Sequence, residues 1–214
     1  MFDARLYRAA LVPAILALVV AAFSLQNRPH AIGTSQPPDA FEGRAATVLL
    51  NDMARRFPDR APGSAGDDGL ARYVADSLRR PALGGQRPFD VTVHRFDAQT
   101  IDGRRSIANV VATRAGAPGA GLLVVAHRDA AQHGARAQLS ATAALLELGR
   151  VFADGRLSRT MTLVSTSGGS GGNAGADEVA RSVPGPIDAV LVLGDVGAAI
   201  DVVLHAVAVR VEFA

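Results

Sequence analysis

The chain of 214 residues contains no cysteine and no lysine. The absence of cysteine excludes disulfide bonds, thiolate zinc sites, iron–sulfur clusters and a cysteine nucleophile. The absence of lysine excludes a Walker-type phosphate loop, a Schiff base and a lysine general base.

An excess of charge of one sign is also missing. All 22 basic residues are Arg, and they face 20 Asp and Glu, which leaves a net charge of +2. The isoelectric point is nevertheless basic, because without Lys and Cys little titrates between neutrality and the tyrosines. The arginines form no basic block and no patch interleaved with aromatic residues, so nucleic acid is excluded as a partner.

The N-terminus carries a polar stub (residues 1–8), an uncharged apolar stretch (9–25) and a linker rich in Pro, Gly and Ser (26–39). As a helix, the stretch would span about 25 Å at ~1.5 Å per residue, enough for a short membrane span. Arg5 and Arg8 favour a cytoplasmic N-terminus. We therefore predict a single-pass signal anchor, a membrane location and a domain on the extracytoplasmic side.

Two other interpretations of residues 9–25 stay open. A cleavable signal peptide would use the small residues at 20–22 as its cleavage site, and it too would place the domain outside the cytoplasm. A helix buried in the core of the domain is the third alternative.

Residues 40–214 read as one α/β domain. Apolar spacing predicts a helix over 40–57, and Ser64 is a candidate N-cap for a second helix. A continuous apolar strand over 122–126 begins an alternation of strands and helices, which predicts an α/β fold with a largely parallel central sheet. The other predicted elements are strands near 89–93, 106–113, 160–166, 188–193 and 207–213, and helices near 138–153 and 174–181. The chain stops directly after the last strand, from which we expect the domain to be incomplete at its C-terminus.

The Gly-rich loop after the strand at 160–166 fits two motifs. Gly168 to Gly172 reads as G-x-S-x-G, which with Asp195 and His205 would make Ser170 the nucleophile of a serine hydrolase. However, only ten residues separate Asp195 from His205, which leaves little chain to bring both around Ser170. Gly169 to Ala174 reads as G-x-G-x-x-A, the dinucleotide-binding pattern, although a strand–helix unit already precedes it.

A third pattern is His127-Arg128-Asp129, directly after the apolar strand. The carboxyl end of a parallel strand is where α/β proteins bind ligands, and Asp195 closes another strand at the same edge. Asp129 is placed to orient the imidazole of His127. The simpler interpretation of His-x-Asp is a hydrogen-bonded pair within a loop.

Taken in order, six segments resemble the co-catalytic zinc aminopeptidases of the zinc exopeptidase superfamily, over about residues 41–197. Arg60-Ala-Pro-Gly-Ser64 resembles the family's R-x-x-G-S turn, and Ile107–Ala112 its N-V-V-A strand. Val124–Asp129 resembles the G-A-H-Y-D strand, and Gly134–Val151 the D-N-A-S-G helix. Thr162–Ala176 resembles the D-G-E-E loop, and Val192–Gly197 the N-L-D-M strand end.

The resemblance implies a three-layer zinc-exopeptidase fold, with a mixed, mainly parallel sheet and helices on both faces. It also implies a site with several ligands missing. His127 and Asp195 stand where ligands of one zinc stand, and Asp129 stands where the orienting carboxylate stands. The remaining positions have lost their carboxylates. They are Ala137 for the bridging Asp, Gly169 for the general-base Glu and Ser170 for a Glu ligand of the second zinc.

From this pattern we expect an inactive, membrane-anchored domain of the peptidase type that binds or scaffolds peptides or cell-envelope proteins. Zinc binding would be weak and no other cofactor is implied, because two ligands fall short of the usual three or four. His133 could add a ligand or be an exposed loop residue. The alternative is an active aminopeptidase that uses substitute ligands or is completed by a longer parent chain.

Overall fold

The computed structural model describes most of the predicted domain, and the description covers residues 15–16, 40–80, 89–153, 156–182 and 185–195. The described residues from 40 onward belong to one compact unit. Apart from Ile15 and Leu16, which are helical, the predicted anchor lies outside the described residues, and so does the predicted strand at 207–213. No helix within the described ranges is long and apolar enough to cross a membrane.

Four helices and five strands make up the described part of the unit. The helices are α1 (Gly43–Arg56), α2 (Ala65–Arg79), α3 (Leu139–Val151) and α4 (Ala174–Ser182). The strands are β1 (Asp90–Thr100), β2 (Gly103–Arg114), β3 (Gly121–His127), β4 (Met161–Thr166) and β5 (Ile187–Leu193).

The strands form one mixed sheet in the order β1-β2-β4-β3-β5. The pairs β3/β4 and β3/β5 are parallel, whereas β1/β2 and β2/β4 are antiparallel. The predicted mixed sheet is therefore confirmed, with two of its four pairings parallel. Because β3 lies between β4 and β5, the carboxyl ends of three parallel strands meet at one edge of the sheet.

Helices cover both faces of this sheet, as predicted. On one face α2 and α3 pack against the sheet and α1 packs against α3, in one apolar cluster that includes Val110, Val124 and Leu163. On the other face, Val179 of α4 packs against a smaller apolar cluster that includes Val125 and Val164. The alternation of Val124 and Val125 between the two clusters follows from the two-residue period of a strand. The strand is therefore buried on both sides, as its unbroken apolar run predicts.

Local signals in the sequence set the helix boundaries near the site. Helix α1 ends one residue before Phe57, and Pro58 cannot continue it. Helix α2 begins at Ser64, whose side chain accepts a hydrogen bond from the backbone N–H of Asp67 at 3.2 Å. The N-cap predicted from the sequence is thus present. This turn also places Asp67 in the buried interior below the sheet edge.

Candidate functional site

The predicted pair His127 and Asp195 comes together at the carboxyl edge of the sheet. His127 is the last residue of β3, and Asp195 follows the end of the neighbouring parallel strand β5. Their side chains lie 3.9 Å apart, from Nε2 to Oδ1, and are 27% and 39% exposed. The pair is therefore open to solvent, at the place where ligands of α/β proteins bind.

Asp129 has a role different from the one predicted. Its carboxylate is fully buried and accepts hydrogen bonds from the backbone N–H groups of Gly169 at 2.9 Å and Ser170 at 2.8 Å. The hydroxyl of Ser170 donates to the same carboxylate. Both oxygens of Asp129 are thus engaged with residues 167–173, called the site loop below. In this geometry Asp129 holds the loop, and its bonds are not directed at the imidazole of His127.

The site loop passes directly against His127. A Cβ atom added at Gly169 would lie 2.8 Å from Cβ and 2.9 Å from Cγ of His127, closer than real Cβ atoms approach. Gly168, at a φ of +84°, supplies the left-handed backbone that turns the chain toward the imidazole. A glutamate at position 169, as in the resembled family, requires His127 or the loop to move.

Below the exposed pair lies a buried ionic cluster that starts from the next residue, Arg128. Its guanidinium contacts Asp67 at 2.9 Å, from Nε to Oδ1, and both side chains are 0% exposed. It also donates to the carbonyl oxygens of Ser165 at 3.0 Å and Ala108 at 2.7 Å. Asp67 in turn accepts from the Ser167 hydroxyl at 2.6 Å. This cluster ties α2, β2 and the strand β4 to the floor of the site.

Burial dominates the electrostatics of this cluster. It raises the pKa of Asp67, an effect that the neighbouring Arg128 guanidinium and the Ser167 hydroxyl offset in part. Burial likewise lowers the pKa of Arg128, against the attraction of Asp67 and Asp129. A second buried guanidinium, Arg60, donates to the carbonyl oxygen of Arg128 at 3.0 Å. Its pKa is lowered by burial and raised in part by Asp129. The cluster therefore brings two guanidinium groups and two carboxyl groups together in the interior.

The other predicted site residues lie apart from this centre or in different roles. Ala137 lies in the turn before α3, where its carbonyl oxygen accepts from the Ser140 N–H at 3.0 Å. His133 is 71% exposed and contacts Asp59 at the surface. The hydroxyl of Ser170, the nucleophile of the serine-hydrolase motif, donates to Asp129. The backbone N–H groups of Gly169 and Ser170, which a dinucleotide-binding loop would direct at a pyrophosphate, also donate to Asp129. His205 lies outside the described residues.

The described residues do not fit a two-metal centre. Within the described ranges no group of three or more His, Cys, Asp or Glu side chains could hold a metal ion. His127 and Asp195 supply one nitrogen and one carboxylate, whereas zinc sites in proteins use three or four protein ligands. Asp129, the nearest carboxylate along the chain, already accepts three hydrogen bonds.

Sequence reasoning missed the buried ionic cluster. The signal that could have indicated it is an arginine directly after a fully apolar strand, because a charge at such a position needs a buried partner. The identity of that partner could not be read from the sequence. Asp67 lies 61 residues away along the chain and reaches Arg128 only through the packing of α2 against the sheet.

Comparison with known proteins supports the fold. No family model matches the sequence, and no curated protein matches it. Among solved structures, a glutaminyl cyclase from an Acidobacteriales bacterium has a TM-score of 0.62 at 19% identity, covering 79% of this chain and 64% of that chain. A Zn-dependent exopeptidase from Parabacteroides distasonis has a TM-score of 0.56 at 18% identity, covering 73% and 62%. A leucine aminopeptidase precursor from Bacteroides thetaiotaomicron gives 0.58 at 16%, covering 78% and 65%.

These likenesses confirm the predicted zinc-exopeptidase-like fold. The chain spans less than two thirds of the length of each of these three proteins. At such low identity the comparison concerns the fold and not the chemistry of the site.

Proposed function

We propose that this chain is a peptidase-like domain that binds peptides or cell-envelope proteins and does not hydrolyse them. The observation that carries the proposal is that the loop beside His127 and Asp195 has no carboxylates at positions 169 and 170. In a fold shared with zinc-dependent exopeptidases, His127 and Asp195 come together, but the site loop beside them offers Gly169 and Ser170 in place of carboxylates.

Chemistry explains why the loss of carboxylates favours binding over hydrolysis. Metal-assisted hydrolysis needs a cation held firmly enough to polarise water and a base that takes the proton from that water. A glycine at 169 cannot act as a base, and the hydroxyl of Ser170 is committed to Asp129. The partly exposed pair His127 and Asp195 can still form hydrogen bonds with a ligand at the carboxyl edge of the sheet, called the crevice below.

Activity of the purified full-length chain tests this proposal. We expect no release of amino acids from aminoacyl substrates, with or without added zinc, and no activity in a glutaminyl cyclase assay. The His133→Ala variant serves as a control, because this imidazole is exposed and its partner is Asp59 at the surface. Chelator-sensitive turnover that His127→Ala abolishes and His133→Ala retains would contradict the proposal.

The alternative function is an active metallo-aminopeptidase completed by substitute ligands or by a longer parent chain. It is supported by length, since this chain spans 64% of the glutaminyl cyclase that it resembles in fold. Calorimetric zinc titration separates the two functions. We expect at most one weakly bound ion, lost in His127→Ala and kept in His133→Ala, whereas two tightly bound ions would favour the active enzyme.

Membrane attachment is the second part of the proposal. It rests on the uncharged stretch at 9–25, preceded by Arg5 and Arg8. We expect the protein to fractionate with membranes and residues beyond about 30 to be accessible to protease from outside the cytoplasm. Sequencing of the mature N-terminus provides the control, because a new terminus near Phe23 would indicate a cleaved signal peptide instead.

A further inference from the structure

One buried side chain, Asn109, bonds to the first residue of the site loop and to a residue just beyond its last. Asn109 of β2 donates from Nδ2 to the carbonyl oxygen of Gly175 at 2.8 Å, beyond the end of the loop. Its Oδ1 accepts from the N–H of Ser167, at the start of the loop, at 3.4 Å. The carbonyl oxygen of Gly171 in the middle accepts from the N–H of Ile101, in the β1–β2 turn, at 3.1 Å.

The part of the loop that lies next to His127, Gly169 and Ser170, is bonded to Asp129. Three donors converge on this carboxylate, two backbone N–H groups and the Ser170 hydroxyl. Asp129 itself is fixed in place, because the N–H of Arg128 bonds to Thr166 and that of Ala130 to Arg60, both at 3.0 Å. Hydrogen bonds to a charged acceptor are stronger than those between neutral groups. These three hydrogen bonds, called the latch below, therefore join a fixed strand end to a glycine-rich loop.

We propose that Asp129 is a positioning residue, which latches the site loop against His127 and thereby sets how accessible its imidazole is. With the latch closed, Gly169 lies so near His127 that an added Cβ would be 3.2 Å from Cδ2 of the ring, and Asp195 lies on the Nε2 side at 3.9 Å. With the latch open, Gly169 loses the one hydrogen bond that it makes among the described residues. This role goes beyond ligand binding by the crevice and does not depend on it.

The charge of Asp129 is compensated by groups of the protein itself. Buried carboxylates require compensation, and here the compensation comes from three donors together with the two buried guanidinium groups of Arg60 and Arg128. The carboxylate is thus satisfied by the protein itself.

Modification of histidines by diethyl pyrocarbonate tests the latch. The full-length chain is treated at one fixed pH in non-ionic detergent, and the rate at each histidine is measured by mass spectrometry of peptides. His94 and His133, both exposed, serve as internal standards in the same molecule. Ser170→Ala should raise the rate at His127 about fivefold relative to these standards, the factor that corresponds to ~1 kcal/mol. Asp129→Asn should raise it further, because it weakens all three bonds.

Ser182→Ala is the matched control, since its hydroxyl donates to the carbonyl oxygen of Glu178 within α4, at 2.7 Å, away from the loop. It should leave the rate at His127 unchanged. If Asp129→Asn does not fold, Ser170→Ala decides the question, because it removes a single donor. An unchanged rate at His127 in folded Ser170→Ala overturns the proposal. A parallel rise at all three histidines overturns it too, because that pattern indicates general unfolding.

Discussion

His127 and Arg128 are adjacent at the end of β3, yet their side chains have opposite surroundings. His127 faces the crevice and meets Asp195 at 3.9 Å, with both side chains partly exposed. Arg128 points into the protein and contacts Asp67 at 2.9 Å, with both side chains fully buried. The end of β3 thus carries two such pairs. His127 with Asp195 is partly exposed to solvent, and Arg128 with Asp67 is buried.

The contrast shows how this site is built. An ionic pair in water contributes little to stability, because solvent screens its attraction and water competes for its hydrogen bonds. A buried pair depends on every one of its bonds, because a lost partner leaves a charge with no water to replace it. The buried pair therefore supplies the rigid floor, and the exposed pair is free to serve a ligand.

The largest expected effect comes from breaking the buried pair. Asp67→Ala leaves the guanidinium of Arg128 without its carboxylate and removes the acceptor of Ser167 and Gly63. We expect a loss of about 3–5 kcal/mol in the free energy of unfolding. Urea unfolding of the full-length chain, followed by circular dichroism, measures this loss.

A double variant shows whether that loss reflects the unpaired charge. Arg128→Met in the Asp67→Ala background removes the stranded guanidinium, and we expect it to recover at least part of the stability. If the double variant is as unstable as the sum of the two single variants, the two side chains act independently, contrary to their close contact.

The pH dependence of stability tests the balance inside the buried pair. Burial raises the pKa of Asp67 above its ordinary value of 3.8. The folded chain then holds this proton more tightly than the unfolded chain, so the contribution of Asp67 is present at low pH and is lost as the pH rises through its folded pKa. The difference in unfolding free energy between wild type and Asp67→Asn should therefore fall as the pH rises above 3.8. A difference that grows with pH would mean that attraction to Arg128 outweighs burial.

The exposed half of this comparison could be predicted from the sequence, and the buried half could not. His127 and Asp195 each follow an apolar strand, and parallel strands bring their carboxyl ends to one edge. That rule needs only the order of strands and helices. The Arg128–Asp67 pair depends instead on how α2 packs against the sheet, a contact between segments 61 residues apart.

Asp129 shows the same limit at shorter range. The spacing of His127 and Asp129 predicts that the carboxylate orients the imidazole, because it lies only two residues further along the chain. The chain leaves the strand after His127, however, and Asp129 turns toward the site loop. Loop conformation is not periodic, so the pattern that placed the strands could not place this side chain.

A smaller effect is expected at Ser64, which holds the backbone of Asp67 while Arg128 holds its side chain. The Ser64 hydroxyl caps α2 by accepting from the N–H of Asp67 at 3.2 Å. Ser64→Ala should cost about 1 kcal/mol in unfolding free energy, a typical cost for losing an N-cap. Ser64→Asp keeps an acceptor at this position and should restore most of the stability. A loss as large as that of Asp67→Ala would mean that the cap and the ion pair form one cooperative unit.

The smallest effect is expected at the exposed pair itself. Asp195→Asn keeps the shape of the side chain and removes its charge beside His127. Because Asp195 is 39% exposed and 3.9 Å from the imidazole, we expect a change in unfolding free energy of at most ~0.5 kcal/mol. The same substitution should nevertheless weaken any ligand that the crevice binds through this carboxylate. A loss of several kcal/mol would place Asp195 in the structural core of the site and would remove the contrast between its pair and the buried one.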